Sequence, residues 1–251
     1  GSITAVAEAA AVSTPTVVRM AKKLGFAGFS DLQAALRAEL EATVSNPIAK
    51  HDRWAENAPD THILNRFADA VTANLHQTLR QLDPAEFNAV AELLNDRSRS
   101  VYLVGGRITR SLADYFFTHM QVIRDGLTLV AANANTWPHY LLAMRPGDLL
   151  VIFDIRRYEH DLLRLAEMAR ERGVLLVLFT DQWGSPITKH AAHSFRCRIE
   201  APSAWDSSVV TLFLLEALIA AVQTGNWAET KDRMRDLEAL FDQTRMFRKF
   251  V

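Results

Sequence analysis

The chain holds one cysteine, Cys197, in 251 residues. A lone thiol excludes an internal disulfide and any zinc site built from several thiolates, and it fits a reducing compartment such as the cytoplasm. Metal-ligand patterns are missing as well. None of the histidines stands in an H-x-x-x-H arrangement with an acid between, and the nearest approach, His190 and His193, spans a predicted helix-to-strand junction. No resident metal or cofactor is expected. Long apolar runs are also lacking. The longest, residues 209–222, contains Thr211 and Glu216 and is too short and too polar to span a membrane, so it reads as a buried core helix. No signal peptide pattern, internal repeat or low-complexity tract is visible. Nor is there an excess of either charge. Against 29 acids stand 28 cations, a net charge of -1, so any contact with a polyanion must be local.

What is present is a 49% apolar composition, enough for a sizeable core, in a length that suits a core domain plus a small module. Residues 3–10, 14–24 and 31–43 read as short helices with tight breaks. Ser13 is placed to cap the second, Pro15 falls in its first turn, Gly25 stops it, and Ser30 is placed to cap the third. Residues 44–60 carry Asn46-Pro47 and Ala58-Pro59-Asp60 without a clear period and read as a linker. Residues 61–82 form a long amphipathic helix, and Asp83-Pro84 opens another. Then the pattern changes. SVYLV (100–104), LTLV (127–130), DLLVIF (148–153), VLLVLF (174–179) and SFRCRI (194–199) read as strands, with helices over 109–124, 137–144, 158–172, 186–190 and 206–223. Strands alternating with helices imply a parallel sheet covered on both faces. The fold class is therefore α/β: an all-α helix-turn-helix domain over 1–43, the linker, a sheet domain over 61–225, and a C-terminal helix over 226–251.

The stretch AVSTPTVVRMAKKLGF (11–26) has cations and no acid. Val6, Ala10, Val12, Val17 and Met20 have the spacing of a shared helix-turn-helix core, while Thr16, Arg19 and Lys23 share another face with Lys22 beside them. The N-terminus of such a helix brings free N–H groups and a positive dipole end toward phosphate. Ser13, Thr14 and Thr16 add hydroxyls there, Arg19 can read base edges bidentately, and Lys22 and Lys23 suit the phosphate backbone. The bland alternative is an ordinary surface helix with three cations. A three-helix unit of this kind usually has another helix before the pair, so the module is expected to be incomplete on its N-terminal side.

In a parallel sheet, ligands sit beyond the carboxyl ends of the strands. The loops there are GGRIT (105–109), DIRRYEHD (154–161), TDQWGS (180–185) and APSAWDSS (201–208). TPTVVRMAKKLGFAGFSDLQ, followed by a linker and a sheet domain with VGGRITRSLA and PGDLLVIFDIRRYEHDLL, resembles the RpiR/MurR family of bacterial transcriptional regulators over essentially the whole chain. The resemblance implies a helix-turn-helix domain and a sugar isomerase (SIS) domain, the latter a five-stranded parallel sheet in an α/β/α sandwich. It also implies sensing of phosphorylated sugars and action on a double-stranded DNA operator as a homodimer or homotetramer. The family's first loop reads G-x-G-x-S. Here Gly105 keeps the first glycine, Arg107 replaces the second, and Thr109 keeps a hydroxyl. Its second loop reads S-x-S-G-x-T-x-E. Here Asp154, Arg156, Arg157 and Glu159 replace the serines, glycine and threonine, and Asp161 keeps the acidic end. The serine-rich phosphate cradle is gone.

Two readings of Arg107, Arg156 and Arg157 stand side by side. Either their guanidinium groups capture an anionic effector, or they pair with Asp154, Glu159 or Asp161 and close an empty pocket. The residues expected at the effector site are Gly105, Gly106, Arg107, Thr109, Asp154, Arg156, Arg157, Thr180, Ser203 and Ser207. Trp137, Trp183 and Trp205 fall near the cleft mouth, mainly as packing residues, and Ser207 and Ser208 read as helix caps. No acid-base pair for catalysis can be assigned. The leading reading is a non-enzymatic, metabolite-responsive transcription factor without membrane association, with the 206–222 helix and the tail helix as candidate subunit interface. The alternative is a phosphosugar aldose-ketose isomerase.

Overall fold

The computed structural model describes residues 2–44, 47, 48, 50, 51, 62–245 and 247. Most of the expected linker, and most of the expected tail beyond residue 245, lie outside them. The chain divides into two compact units, Gly1–Ala58 and Pro59–Val251.

The first unit contains α1 (Ile3–Ala9), α2 (Thr14–Lys23) and α3 (Phe29–Val44). Its turn uses no glycine: Ala11 takes the left-handed conformation (φ 51) and the Val12 N–H returns to the Ala7 carbonyl at 2.9 Å. Gly25 (φ 94) ends α2 as expected. The buried residues are Ala7, Val17, Ala21 and Leu32. This corrects the expected core. Only Val17 of the five is buried; Val6 is half-buried, and Ala10, Val12 and Met20 are exposed. The alanines bring the helices together instead. Ser30 also lies inside α3 rather than capping it, because the helix begins at Phe29, and Asp31 accepts the Ala27 N–H at 2.9 Å just before its start.

The second unit opens with α4 (Ile63–Gln81) and α5 (Pro84–Asn95). Asp83 caps α5 by accepting the Ala85 N–H at 2.8 Å, with Pro84 at the first helical position. The sheet follows: β1 (Val101–Gly105), α6 (Arg110–Ile123), β2 (Leu127–Leu129), α7 (Trp137–Ala143), β3 (Leu149–Phe153), α8 (His160–Glu171), β4 (Leu175–Asp181), β5 (His193–Cys197), then α9 (Val209–Gly225) and α10 (Trp227–Thr244). The segment expected as a helix over 186–190 is a 3-10 turn. All neighbouring strands pair in parallel in the order β2-β1-β3-β4-β5, as the five apolar runs predict.

Alternation along the strands divides the core. Leu103, Leu149, Val151, Phe153, Val177 and Phe179 face one layer with residues of α5, α6 and α9. Tyr102, Val104, Leu150, Ile152, Leu176 and Leu178 face the other with α7 and α8. Phe153, Phe179 and Phe195 occupy one register across three strands and form an aromatic row with centroids 5.0 Å apart. Helix α9 spends Val210, Leu214, Leu215, Leu218 and Val222 on this core and leaves Val209 and Phe213 exposed. No single helix among the described residues is long and apolar enough to cross a membrane.

Candidate functional site

In the first unit, Arg19, Lys22 and Lys23 are exposed along α2, with Thr14 and Thr16 partly so. The Ser13 hydroxyl does not cap the helix, contrary to expectation. It hydrogen-bonds the Thr16 hydroxyl at 2.9 Å, and that hydroxyl accepts from Arg19 Nη2 at 3.2 Å. The expected residues Ser13, Thr16 and Arg19 thus form one side-chain chain on the exposed surface. Pro15 removes one of the first-turn donors. The helix start keeps a positive dipole end without a side-chain cap, a geometry suited to phosphate. Lys22 and Lys23 lie in the last turn, where they also offset the negative dipole end.

In the second unit, the strand order reverses direction between β1 and β3. That is the topological switch point, where ligands bind in open α/β sheets. The loops after these two strands are therefore neighbours, and the structure joins them where Gly106 and Arg107 meet Glu159 and where Thr109 meets the end of β3. A Cβ on Gly105 would lie 2.6 Å from the Thr109 backbone. Glycine is needed there for room, since the first turn of α6 packs on it. The Thr109 hydroxyl accepts the Gly106 N–H at 2.9 Å and donates to the Phe153 carbonyl at 2.7 Å, so it ties β1 to β3 inside the protein.

Asp181, at the end of β4, organises the second loop. Its Oδ2 accepts the Arg156 N–H at 2.7 Å. Its Oδ1 accepts the Tyr158 hydroxyl at 2.7 Å and the N–H groups of Trp183 and Gly184 at 3.0 and 3.2 Å. To reach it, the loop takes two consecutive left-handed residues, Arg156 (φ 35) and Arg157 (φ 58). Burial and the bond to Asp181 raise the Tyr158 hydroxyl pKa far above its ordinary value. Asp154 is buried, accepts from the Ser185 hydroxyl and from the Glu159 N–H, and has its carboxyl pushed up to about 6 chiefly by burial.

The Arg156 guanidinium pairs with Asp206 at 2.8 Å and lies over the Trp183 ring at 4.5 Å. Its partner is thus a protein acid, but not one of the three expected. Asp206 comes from the loop before α9, which sequence order alone does not bring near. Arg107 and Arg157 are exposed. The Arg107 N–H donates to Glu159 Oε1 at 2.8 Å. Thr180 is buried and accepts the Ser185 N–H at 3.0 Å; Ser203 accepts the Trp205 N–H at 3.1 Å; Ser207 accepts the Val209 N–H at 3.3 Å. These three hydroxyls therefore accept from backbone N–H groups of their own loops. At Ser208, placed to cap α9, the side chain makes no capping bond. Trp137 is buried and donates to the Ala131 carbonyl at 2.7 Å. His190 and His193 approach Glu167 and Glu86 respectively, each at 3.6 Å, and share no partner in these contacts. Asp181, Tyr158 and Asp206 were not singled out from sequence. The one available signal was the acids Asp154, Asp181 and Asp206, which end or follow β3, β4 and β5.

The family model of the SIS domain matches residues 94–221, and that of the helix-turn-helix domain of the rpiR family matches residues 1–43. The HTH-type transcriptional regulator HexR of Pseudomonas aeruginosa is 27% identical over 255 residues, covering 97% of this chain and 85% of that protein. The sugar isomerase domain of an RpiR transcription factor from Sphaerobacter thermophilus superposes with a TM-score of 0.64 at 23% identity, covering 70% of this chain and 97% of that one. The Vibrio vulnificus NanR protein complexed with ManNAc-6P superposes with a TM-score of 0.63 at 18% identity, covering 97% and 86%.

Proposed function

Since the chain belongs to the rpiR family of helix-turn-helix transcriptional regulators with a SIS domain, we propose that α2 binds a double-stranded DNA operator and that a small anionic metabolite at the β1/β3 switch point modulates that binding. The acid-free row of exposed Arg19, Lys22 and Lys23 with the partly exposed Thr16 carries the DNA reading. The exposed guanidinium groups of Arg107 and Arg157 beside the switch-point loops support the anion reading. Arg156 serves a different role: paired with Asp206, it holds the second loop in shape. The protein acts in the cytoplasm, where its DNA lies, as a homo-oligomer that places two α2 helices on two half-sites. Val209 and Phe213, exposed on the otherwise buried α9, are candidates for the subunit contact.

The SIS domain acts as a sensor and not as an isomerase in this reading. Proton transfer needs an acid-base side chain free to reach the substrate, whereas Asp154 and Asp181 are buried and accept hydrogen bonds from their own loops, and the exposed Glu159 carboxylate accepts the Arg107 N–H. The test is selection from a random duplex library, followed by binding titrations over a salt series. Arg19→Ala should weaken the selected duplex by about 1–3 kcal/mol and relax specificity, and Lys22→Ala should reduce the salt slope by about 0.9. Failure of the full-length oligomer to bind any duplex in dilute buffer would refute the DNA reading. Turnover of a phosphosugar would refute the sensor assignment.

A further inference from the structure

Glu159 immediately precedes α8, on the β3 side of the switch point, yet its carboxylate accepts the Arg107 N–H on the β1 side. Gly106 makes the crossing possible. Its φ is not positive, so no turn geometry demands glycine there. A Cβ at that position would instead meet the Glu159 carboxylate, with Cδ 2.8 Å away. The chain thus holds an anion of its own against the backbone donor of the first ligand loop. Glu159 stays exposed, so it can swing away without leaving a buried charge unpaired.

We infer that Glu159 is a tethered competitor: its carboxylate holds the anion position of the β1 loop and sets the selectivity of the effector site. This rests on the anion reading above. A side chain on the same loop pair competes intramolecularly, so a free ligand reaches this donor only by displacing it. A free monoanionic carboxylate offers the Arg107 N–H the same bond, so it gains nothing on exchange. A phosphate monoester brings more acceptor oxygens and a larger charge toward Arg107 and Arg157. The site therefore discriminates against simple carboxylates, and neutralising Glu159 lifts the barrier for both classes.

The experiment is calorimetric titration of the full chain with inorganic phosphate and with acetate at fixed ionic strength, for the native protein, Glu159→Gln and Glu159→Thr. The Arg107 amide resonance serves as the local reporter. Gln keeps an acceptor oxygen for that N–H and loses only the charge. Phosphate should bind Glu159→Gln about tenfold more tightly than the native protein, roughly the difference between a hydrogen bond to a charged acceptor and one to a neutral acceptor, with a shift of the Arg107 amide. Because Glu159 is exposed, the thermal midpoint should not move. Equal phosphate affinity in all three proteins would overturn the competitor role and leave anion sensing intact. Weaker binding in the variants would also overturn it, by making Glu159 a ligand contact. Binding in none of them would overturn the anion reading together with the competitor.

Discussion

Asp154 gives a pH prediction whose sign and size follow from its surroundings. The side chain is buried at the end of β3, and its carboxyl rises from 3.8 to about 6, mainly by desolvation. The Ser185 hydroxyl and the Glu159 N–H oppose the shift, and the charges of Glu159 and Asp181 add to it. The folded state therefore binds this proton more tightly than the unfolded state does. The stability it contributes is fully present below pH 3.8 and is lost as the pH rises through 6. At about 1.4 kcal/mol per pH unit, the loss amounts to ~3 kcal/mol, complete near neutral pH. Asp154→Asn removes the titration and keeps the geometry. Its Oδ1 can still accept the Glu159 N–H, and its Nδ2 can donate to the Ser185 oxygen once that hydroxyl turns. Urea unfolding followed by tryptophan fluorescence, from pH 4 to 8, measures both proteins. The variant should gain on the native protein by ~2.4 kcal/mol between pH 4 and 7 and run nearly parallel to it above. A difference between the two that does not change with pH would refute the argument.

Other substitutions probe the frame that positions the site. Arg124 is almost fully buried and donates to the carbonyls of Leu94, Asp96, Arg99 and Asp125, so Arg124→Met leaves several acceptors unmet. The expected cost is about 3 kcal/mol, read as a lower urea midpoint with an unchanged slope. Gly105→Ala drives a methyl into the backbone of Thr109 and Arg110 at 2.6–2.7 Å. It should lower stability by about 1–3 kcal/mol, and a thermal midpoint equal to that of the native protein would contradict the close approach.

The sheet was legible because its strands are short apolar runs bounded by turns, and burial on both faces demands that pattern. Phe153 and Phe179 were readable as core residues for the same reason. The first unit was less legible. Its contacts are made by Ala7 and Ala21 rather than by the larger Val12 and Met20, and small residues give a weak periodic signal. At the switch point, sequence placed the right loops together but could not pair their charges. Arg156 had near neighbours in Asp154, Glu159 and Asp161, yet it pairs with Asp206, fifty residues on. The left-handed turns at Arg156 and Arg157 aim the loop backbone at Asp181. Nothing in the residue types announces those turns, because non-glycine residues rarely adopt them.

Those turns also locate the unfavourable terms of the domain. Each left-handed residue costs about 1–2 kcal/mol, and the buried Asp154 charge adds its own penalty at neutral pH. All three fall within four residues of one loop. They are offset by the four hydrogen bonds that Asp181 accepts and by the Arg156–Asp206 pair. Of these bonds, two come from Arg156 and Tyr158, and the loop ends at Glu159, whose carboxylate reaches the β1 loop. A ligand that displaces Glu159 therefore pulls on the end of a loop already close to balance between strain and attachment. The phenylalanine row of the sheet beneath it, Phe153, Phe179 and Phe195, is buried and apolar and carries no such opposing terms. A response to ligand is thus expected to begin in residues 154–159 and to pass to α8, which follows directly, before it reaches any strand.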